Sequence, residues 1–256
     1  MKDIQNYKDK RGISINKVGV SDVRHPVKVM CRNGQSQHTV ATLSASVSLP
    51  HDVKGTHMSR LVDVINSNQV AIGSESMRQM ISRIRHKLDA EEACMTVEFP
   101  YFITKSAPVT SMQGQMDYDC KLTGSINSGG FDLTTEVTVP VTSLCPCSKE
   151  ISDRGAHNQR SRVSIAVKTH DEPICVDDLI AIAEESASAP LYSLLKRPDE
   201  KFVTEQAYDN PVFVEDLVRG VASCLKENNN ISWFCVRSVN EESIHNHNAF
   251  AEITSG

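Results

Sequence analysis

No stretch of this 256-residue chain is apolar for long enough to cross a bilayer, which excludes a helical membrane span. Its first residues, Met1 to Gly12, are polar and charged and contain no apolar segment of the kind a secretory signal needs. A cytoplasmic location is therefore expected. An excess of basic residues is also missing: the formal net charge is −5, so nucleic acid is not expected as the main partner, although a small anion would need only a local basic cluster. Nor is there a C-x-x-C pair of the kind found in structural zinc knuckles. In a reducing compartment the eight cysteines (Cys31, Cys94, Cys120, Cys145, Cys147, Cys175, Cys224 and Cys235) read as core residues plus a few chemical ones, not as a disulfide framework. With 39% hydrophobic and 23% charged residues, the chain has the balance of an ordinary globular protein. Its length suits two modules.

Hydrophobic periodicity divides the chain into two similar runs. Ala41, Leu43, Ala45, Val47 and Leu49 alternate with Thr and Ser, predicting a half-buried strand, with His25 to Met30 as its hairpin partner across Asn33-Gly34. Helical spacing follows at Met58, Leu61, Val62 and Ile65, and again at Met77, Met80, Ile81, Ile84 and Leu88. Alternation returns at Met95, Val97, Phe99, Tyr101 and Ile103, where Pro100 suggests an edge or a bulge, and at Tyr118, Cys120, Leu122, Gly124 and Ile126. After the turn at Asn127-Ser-Gly-Gly130 come strands through Leu133 to Val141 and Val163 to Val167, and helices through Val176 to Ala183 and Val214 to Leu225. Strands at Ile231 to Val239 and Ala249 to Ile253 close the chain. Each half reads ββααββ. The expected organisation is an N-terminal segment over 1–24, a first module over 25–128 and a second over 129–256. Antiparallel sheets with helices on one face leave open edges, and pairing with other subunits would close them.

Two insertions, Thr142 to Arg160 and Pro190 to Pro211, exceed an ordinary connection and are rich in titratable groups. The first holds Ser143-Leu-Cys-Pro-Cys-Ser-Lys-Glu150 and Gly155-Ala-His-Asn-Gln-Arg160. Thiolate and imidazole are the donors a borderline-soft divalent metal prefers, so Cys145 and His157 can share a site if the loop folds back; two unconnected loop thiols read equally well. Glu242-Ser-Ile-His-Asn-His247 sets two histidines at i and i+2, which in an extended segment point the same way and suit ligation or proton transfer; exposed loop histidines are the alternative. The charge-rich Lys196 to Glu205 reads by default as a solvated loop, although Asp199, Glu200 and Glu205 are potential oxygen ligands. Glu215 opens the last long helix, where a carboxylate is favourable in any case. Lys54-Gly-Thr-His-Met-Ser-Arg60 enters the first helix and suits either a phosphate or a plain turn and cap.

These segments, together with Asp3-Ile-Gln-Asn6, Arg11-Gly12, Lys17-Val-Gly-Val20, His38-Thr-Val40, Leu195 to Glu200 and Gly155 to Ser161, resemble the type IB family of GTP cyclohydrolase I from end to end. The resemblance implies an α+β tunnelling fold: two tandem ββααββ modules whose antiparallel sheets assemble into barrels across subunits, four chains in all. It further implies metal-dependent opening of the GTP imidazole ring at subunit interfaces, with formate released and 7,8-dihydroneopterin triphosphate formed for folate or queuosine-type synthesis. Carried onto this chain, Cys145, His157 and Glu200 would hold one zinc or manganese, and Glu215 would accept hydrogen bonds from the guanine ring edge. Cys147, His245 and His247 would lie beside the metal as catalytic candidates, and Lys54, Arg60, Lys149, Arg160 and Arg197 are the candidates for the triphosphate. Two other readings remain: a tunnelling-fold nitrile reductase using NADPH, which needs no metal, and a non-catalytic zinc or redox protein, which predicts four protein ligands and no ring-edge role for Glu215.

Overall fold

The computed structural model describes residues 5, 7–30, 32, 34, 36–67 and 71–256. The element order is β1 (Ile15–Met30), β2 (Ser36–Leu49), α1 (Met58–Asn66), β3 (Ala71–Ile72), α2 (Ser74–Lys87), β4 (Ala93–Ser106) and β5 (Gln113–Asn127). It continues with β6 (Gly130–Leu144), α3 (Pro146–Ile151), β7 (Asn158–Thr169), α4 (Val176–Glu185), β8 (Ala189–Pro190), α5 (Arg197–Asp209), α6 (Val214–Glu227), β9 (Ile231–Asn240) and β10 (Ala249–Thr254). The fold is α+β with predominantly antiparallel strands, and apart from the short β3, α3 and β8 and the additional helix α5 the order is ββααββ twice. Cys31, Asn33 and the Asp3-Ile-Gln-Asn6 stretch, apart from Gln5, lie outside the described residues. No described helix is long and apolar enough to cross a membrane.

Two compact units emerge, Met1–Pro100 with Lys121–Thr134, and Tyr101–Cys120 with Thr135–Gly256. In the first, β1 pairs antiparallel with β2, and β2 with β4. The predicted stripe is the core: Ala41, Leu43, Ala45, Val47 and Leu49 of β2 and Met95, Val97 and Phe99 of β4 are buried, together with Leu61 and Ile65 of α1 and Met77, Ile81 and Ile84 of α2. Each such side chain contributes about 1.5–3 kcal/mol by leaving water. Gly124 on β5 lets α2 approach, since a Cβ there would meet Ile81 Cδ1 at 2.6 Å. The β2–β4 register ends at Glu98, and Thr39 Oγ1 donates to the Pro100 carbonyl at 3.0 Å, so the proline lies beyond the last registered pair with β2.

β1 is longer than its predicted His25–Met30 core, starting at Ile15. Its first half is mostly exposed and shifts register between Val20 and Val23, where Asp22 adopts φ 59°. A bulge breaks the period-2 pattern, so alternation could not reveal this half. Gly19 lies against β2 so closely that a Cβ would stand 1.9 Å from the Ala45 carbonyl oxygen, which explains the glycine in Lys17-Val-Gly-Val20.

In the second unit β7 lies between β6 and β9, and β9 pairs with β10, all antiparallel. Val137, Val139 and Val141 of β6, Val163, Ile165 and Val167 of β7, Leu179 and Ile180 of α4, and Leu217, Val218, Val221 and Leu225 of α6 form its core. The turn before β6 is as predicted: Asn127 Oδ1 accepts the Gly129 N–H at 2.8 Å, and Gly130 takes φ 103°.

The solvated loop expected over Lys196 to Glu205 is instead mostly helical, within α5. Asp199 at the third helical position accepts the Lys196 N–H at 2.9 Å, and Pro198 sits in the first turn, where its missing N–H costs nothing. Only Asp199 and Ala207 of α5 are buried, so no apolar stripe announced the helix. The insertion Thr142 to Arg160 also shrinks, because β6 runs to Leu144, β7 begins at Asn158 and α3 fills part of the gap.

Candidate functional site

β6 and β7 form an antiparallel ladder whose last registered pairs are Ser143 with Gln159 and Leu144 with Asn158. The next step opposes Cys145 to His157, and the Cys145 N–H donates to the His157 carbonyl at 3.0 Å. The loop therefore folds back as the shared site required, and the strand register, not the loop, sets the thiol opposite the imidazole. Cys145 caps α3: its Sγ takes the Ser148 N–H at 3.4 Å, while Ser148 Oγ donates to the Cys145 carbonyl and accepts the His157 N–H at 3.2 Å. Both backbones are thereby tied to one serine.

Around this pair the second unit forms a cleft that includes Glu215, Glu242, His245 and His247. Glu215 stands in the first turn of α6, which Phe213 caps. The approach to that helix is fixed by Val212, whose N–H donates to the Leu144 carbonyl at 3.0 Å and whose carbonyl accepts Ser143 Oγ–H at 3.0 Å. Behind Ser143, the buried Ser161 hydroxyl donates to Asn240 Oδ1 at 2.6 Å and Asn240 Nδ2 reaches Ser143 Oγ at 3.4 Å. This network joins β6, β7 and β9 directly under the cleft. Residues 241–248 are bends and irregular backbone, not the extended segment expected, so the two histidines do not share a side by strand alternation. They nevertheless lie together, rings stacked at 5.1 Å and 23°, with His245 edge-on to His157 at 6.5 Å.

Five predicted residues thus share one cleft: Cys145, His157, Glu215, His245 and His247. Glu200, in the first turn of α5, is exposed and is not among its lining residues, and Cys147 is exposed on α3. Among the described residues, no three His, Cys, Asp or Glu side chains converge as a formed metal site. The donor chemistry still fits a borderline-soft divalent ion, with a thiol and an imidazole adjacent and positions left for other ligands. Lys149 turns to α5, where its ammonium donates to the Tyr208 carbonyl and lies 4.3 Å from that ring. Arg160 and Arg197 are exposed. Lys54 and Arg60 belong to the first unit, where the Lys54 N–H donates to the Tyr7 carbonyl and the Arg60 guanidinium to the Lys87 carbonyl.

Sequence reasoning quoted Ser143, Gln159 and Glu242 within its motifs without giving them a role, and passed over Asn240. Gln159 was within reach, since two residues along a strand from His157 it points the same way. Its Oε1 lies 2.9 Å from His157 Nδ1, and Glu242 Oε2 lies 4.0 Å from the same atom. The contacts made by Asn240 and Ser143 span 69 and 97 residues, beyond any local pattern.

The family described as "Type I GTP cyclohydrolase folE2" matches residues 1–251. Among individual relatives, GTP cyclohydrolase FolE2 of Nitrosococcus oceani is 52% identical over 253 residues, covering 99% of this chain and 94% of that protein. That of Azoarcus sp. is 52% identical, covering 98% and 93%, and that of Magnetococcus marinus is 49% identical, covering 100% and 96%. Among solved structures, uricase from Arthrobacter globiformis superposes with a TM-score of 0.53 at 9% identity, over 93% of this chain and 92% of that one. A urate oxidase mutant from Bacillus sp. TB-90 gives 0.54 at 10% identity, over 94% and 99%. At that identity the likeness is one of fold, the tunnelling fold. By family match and by relatives near half identity over almost its whole length, the chain belongs to the type I GTP cyclohydrolase FolE2 family.

Proposed function

We propose that this protein is a GTP cyclohydrolase I of the IB type: it hydrolytically opens the imidazole ring of GTP, releases formate and yields 7,8-dihydroneopterin triphosphate, the first step of tetrahydrofolate and queuosine-type synthesis. The observation that carries the reading is Cys145 opposed to His157 in a cleft shared with Glu215, His245 and His247, in a chain of this family.

The roles follow from the chemistry of each group. Glu215 accepts the ring N–H and exocyclic amino group of guanine, two donors that a carboxylate meets side by side. Cys145 and His157 would hold one zinc or manganese, with Glu200, exposed on α5 and outside the cleft lining, as the expected third donor; the ion would supply Lewis acidity. His245 and His247 move protons, taking one from the water that attacks C8 and delivering one to the ring nitrogen that leaves it. An imidazole can both take up and give back a proton, which suits both directions of transfer. Cys147, exposed on α3, is a further catalytic candidate. Of the candidates for the triphosphate contacts, Arg160 and Arg197 are exposed on the second unit that carries the cleft. The two ββααββ modules assemble as a cytoplasmic homotetramer whose sheets close on neighbouring copies, with sites at the interfaces.

The test is incubation of chelator-stripped protein with GTP, with and without zinc or manganese, scoring formate and the fluorescence of the oxidised pterin. Metal-dependent formate together with pterin is the expected result. A folded oligomer yielding neither product with any metal overturns the reading, and formate without pterin reduces it to ring opening.

A further inference from the structure

We propose that Gln159 is the positioning residue of His157, holding the proton on Nδ1 so that Nε2 presents its lone pair to the metal. The proposal rests on the reading of His157 as a metal donor. Imidazole has two nitrogens, and in the neutral ring only the unprotonated one can ligate. Which one that is depends on what faces the other.

In this structure two oxygen acceptors face Nδ1. Gln159 Oε1 lies 2.9 Å away, and a carboxamide oxygen only accepts, so the ring nitrogen must donate. Glu242 Oε2 stands 4.0 Å from the same nitrogen, with both side chains about one-tenth exposed, and its negative charge favours a proton at that end of the ring. The carboxylate also settles which end of the Gln159 amide turns inward: an N–H of the amide against Nδ1 would drive the ring proton to Nε2, away from Glu242.

The support is rigid. Gln159 is buried and registered opposite Ser143, and the His157 backbone is held at its N–H by Ser148 and at its carbonyl by Cys145. Only the two side-chain torsions of His157 remain, and the Nδ1 contact fixes the ring. Partners of this kind, one shell behind a metal ligand, are commonly worth 10- to 100-fold in metal affinity.

The first readout needs no metal: nitrogen-15 imidazole correlations on the metal-free protein report the tautomer of each of the nine histidines, and His157→Ala identifies the signal of His157. The second is zinc affinity by chelator competition. Wild type should carry its proton on Nδ1. Gln159→Leu, and Gln159→Met as a closer match in shape, should show mixed tautomers and zinc binding weakened about 10- to 100-fold in a chain that still folds cooperatively. Gln159→Glu should restore both. A wild-type His157 protonated on Nε2 overturns the proposal. So does a folded Gln159→Leu or Gln159→Met that binds zinc like wild type while His157→Ala does not. Should His157→Ala bind zinc as wild type does, the donor reading falls, and the tautomer signal alone decides whether Gln159 sets the ring.

Discussion

Cys145 and Cys147 are two residues apart and differ in everything that matters to a metal. Cys145 ends the β6 ladder opposite His157, with its sulfur held by the Ser148 N–H; Cys147 lies exposed on α3. Replacing Cys145 by alanine should abolish tight zinc binding and turnover together, whereas Cys147→Ala should keep zinc, as read by chelator competition and formate release. Glu215→Gln exchanges an ionic acceptor for an amide of the same shape. Losing a hydrogen bond to a charged group costs about 1.5–3 kcal/mol, so kcat/KM should fall roughly 10- to 100-fold with metal affinity unchanged. At this scale the sequence exposed residue types but not their directions. Cys145, His157, His245 and His247 stood out because thiols and imidazoles are chemically distinctive, while Gln159 and Asn240 are ordinary polar residues whose significance appears only when β6, β7 and β9 come together.

Among the elements, α5 depends on one buried carboxylate. Asp199 accepts the N–H groups of Val109, Thr110 and Lys196 and the Thr110 hydroxyl, tying the helix start to the β4–β5 turn. Burial pushes its carboxyl up, but these bonds outweigh it and hold it well below the usual carboxylate range. A carboxyl depressed on folding stabilises fully above its unfolded pKa, about 3.9, and loses that contribution as pH falls toward the folded value. Denaturant midpoints should therefore drop more steeply below about pH 4 in wild type than in Asp199→Asn. A second polar cluster lies under α4. Lys105 donates to Glu184 and to the Leu191 carbonyl, both at 2.7 Å, and Tyr118 donates to Glu184 at 3.0 Å. Burial pulls the Lys105 ammonium down and pushes the Tyr118 phenol up. Lys105→Met or Glu184→Leu alone should cost about 3–5 kcal/mol, and the double variant less than the sum, because one partner left alone is an uncompensated buried charge. The stripes of β2, β4, β6 and α6 were legible because one face of each is core; α5 and the first half of β1 were not, having almost no buried face.

For the whole molecule, the repeated ββααββ order leaves strand edges in both units. Among the described residues, the short β3 covers β1 only at Lys28 and Val29, and β10 pairs with β9 alone. If these edges close on other copies as proposed, sedimentation should return a tetramer. Metal should register globally as well: zinc at 100 times its dissociation constant adds about 2.7 kcal/mol, a rise of roughly 5–10 °C in melting temperature for a domain of this size, reversed by chelator. Cys145→Ala should show no such rise.

The bonds around the cleft differ in how far along the chain they must reach, and this gives the site an order of assembly. Ser148 joins His157 across nine residues, within a single hairpin, whereas Ser143 meets Val212 across 69 and Asn240 across 97. Closing the short loop costs the chain less entropy than closing the long ones, and local contacts form sooner. Refolding is therefore expected to bring the thiol and imidazole together before Glu215 is placed, so that on the proposed reading two of the three metal donors meet ahead of the purine-recognising carboxylate.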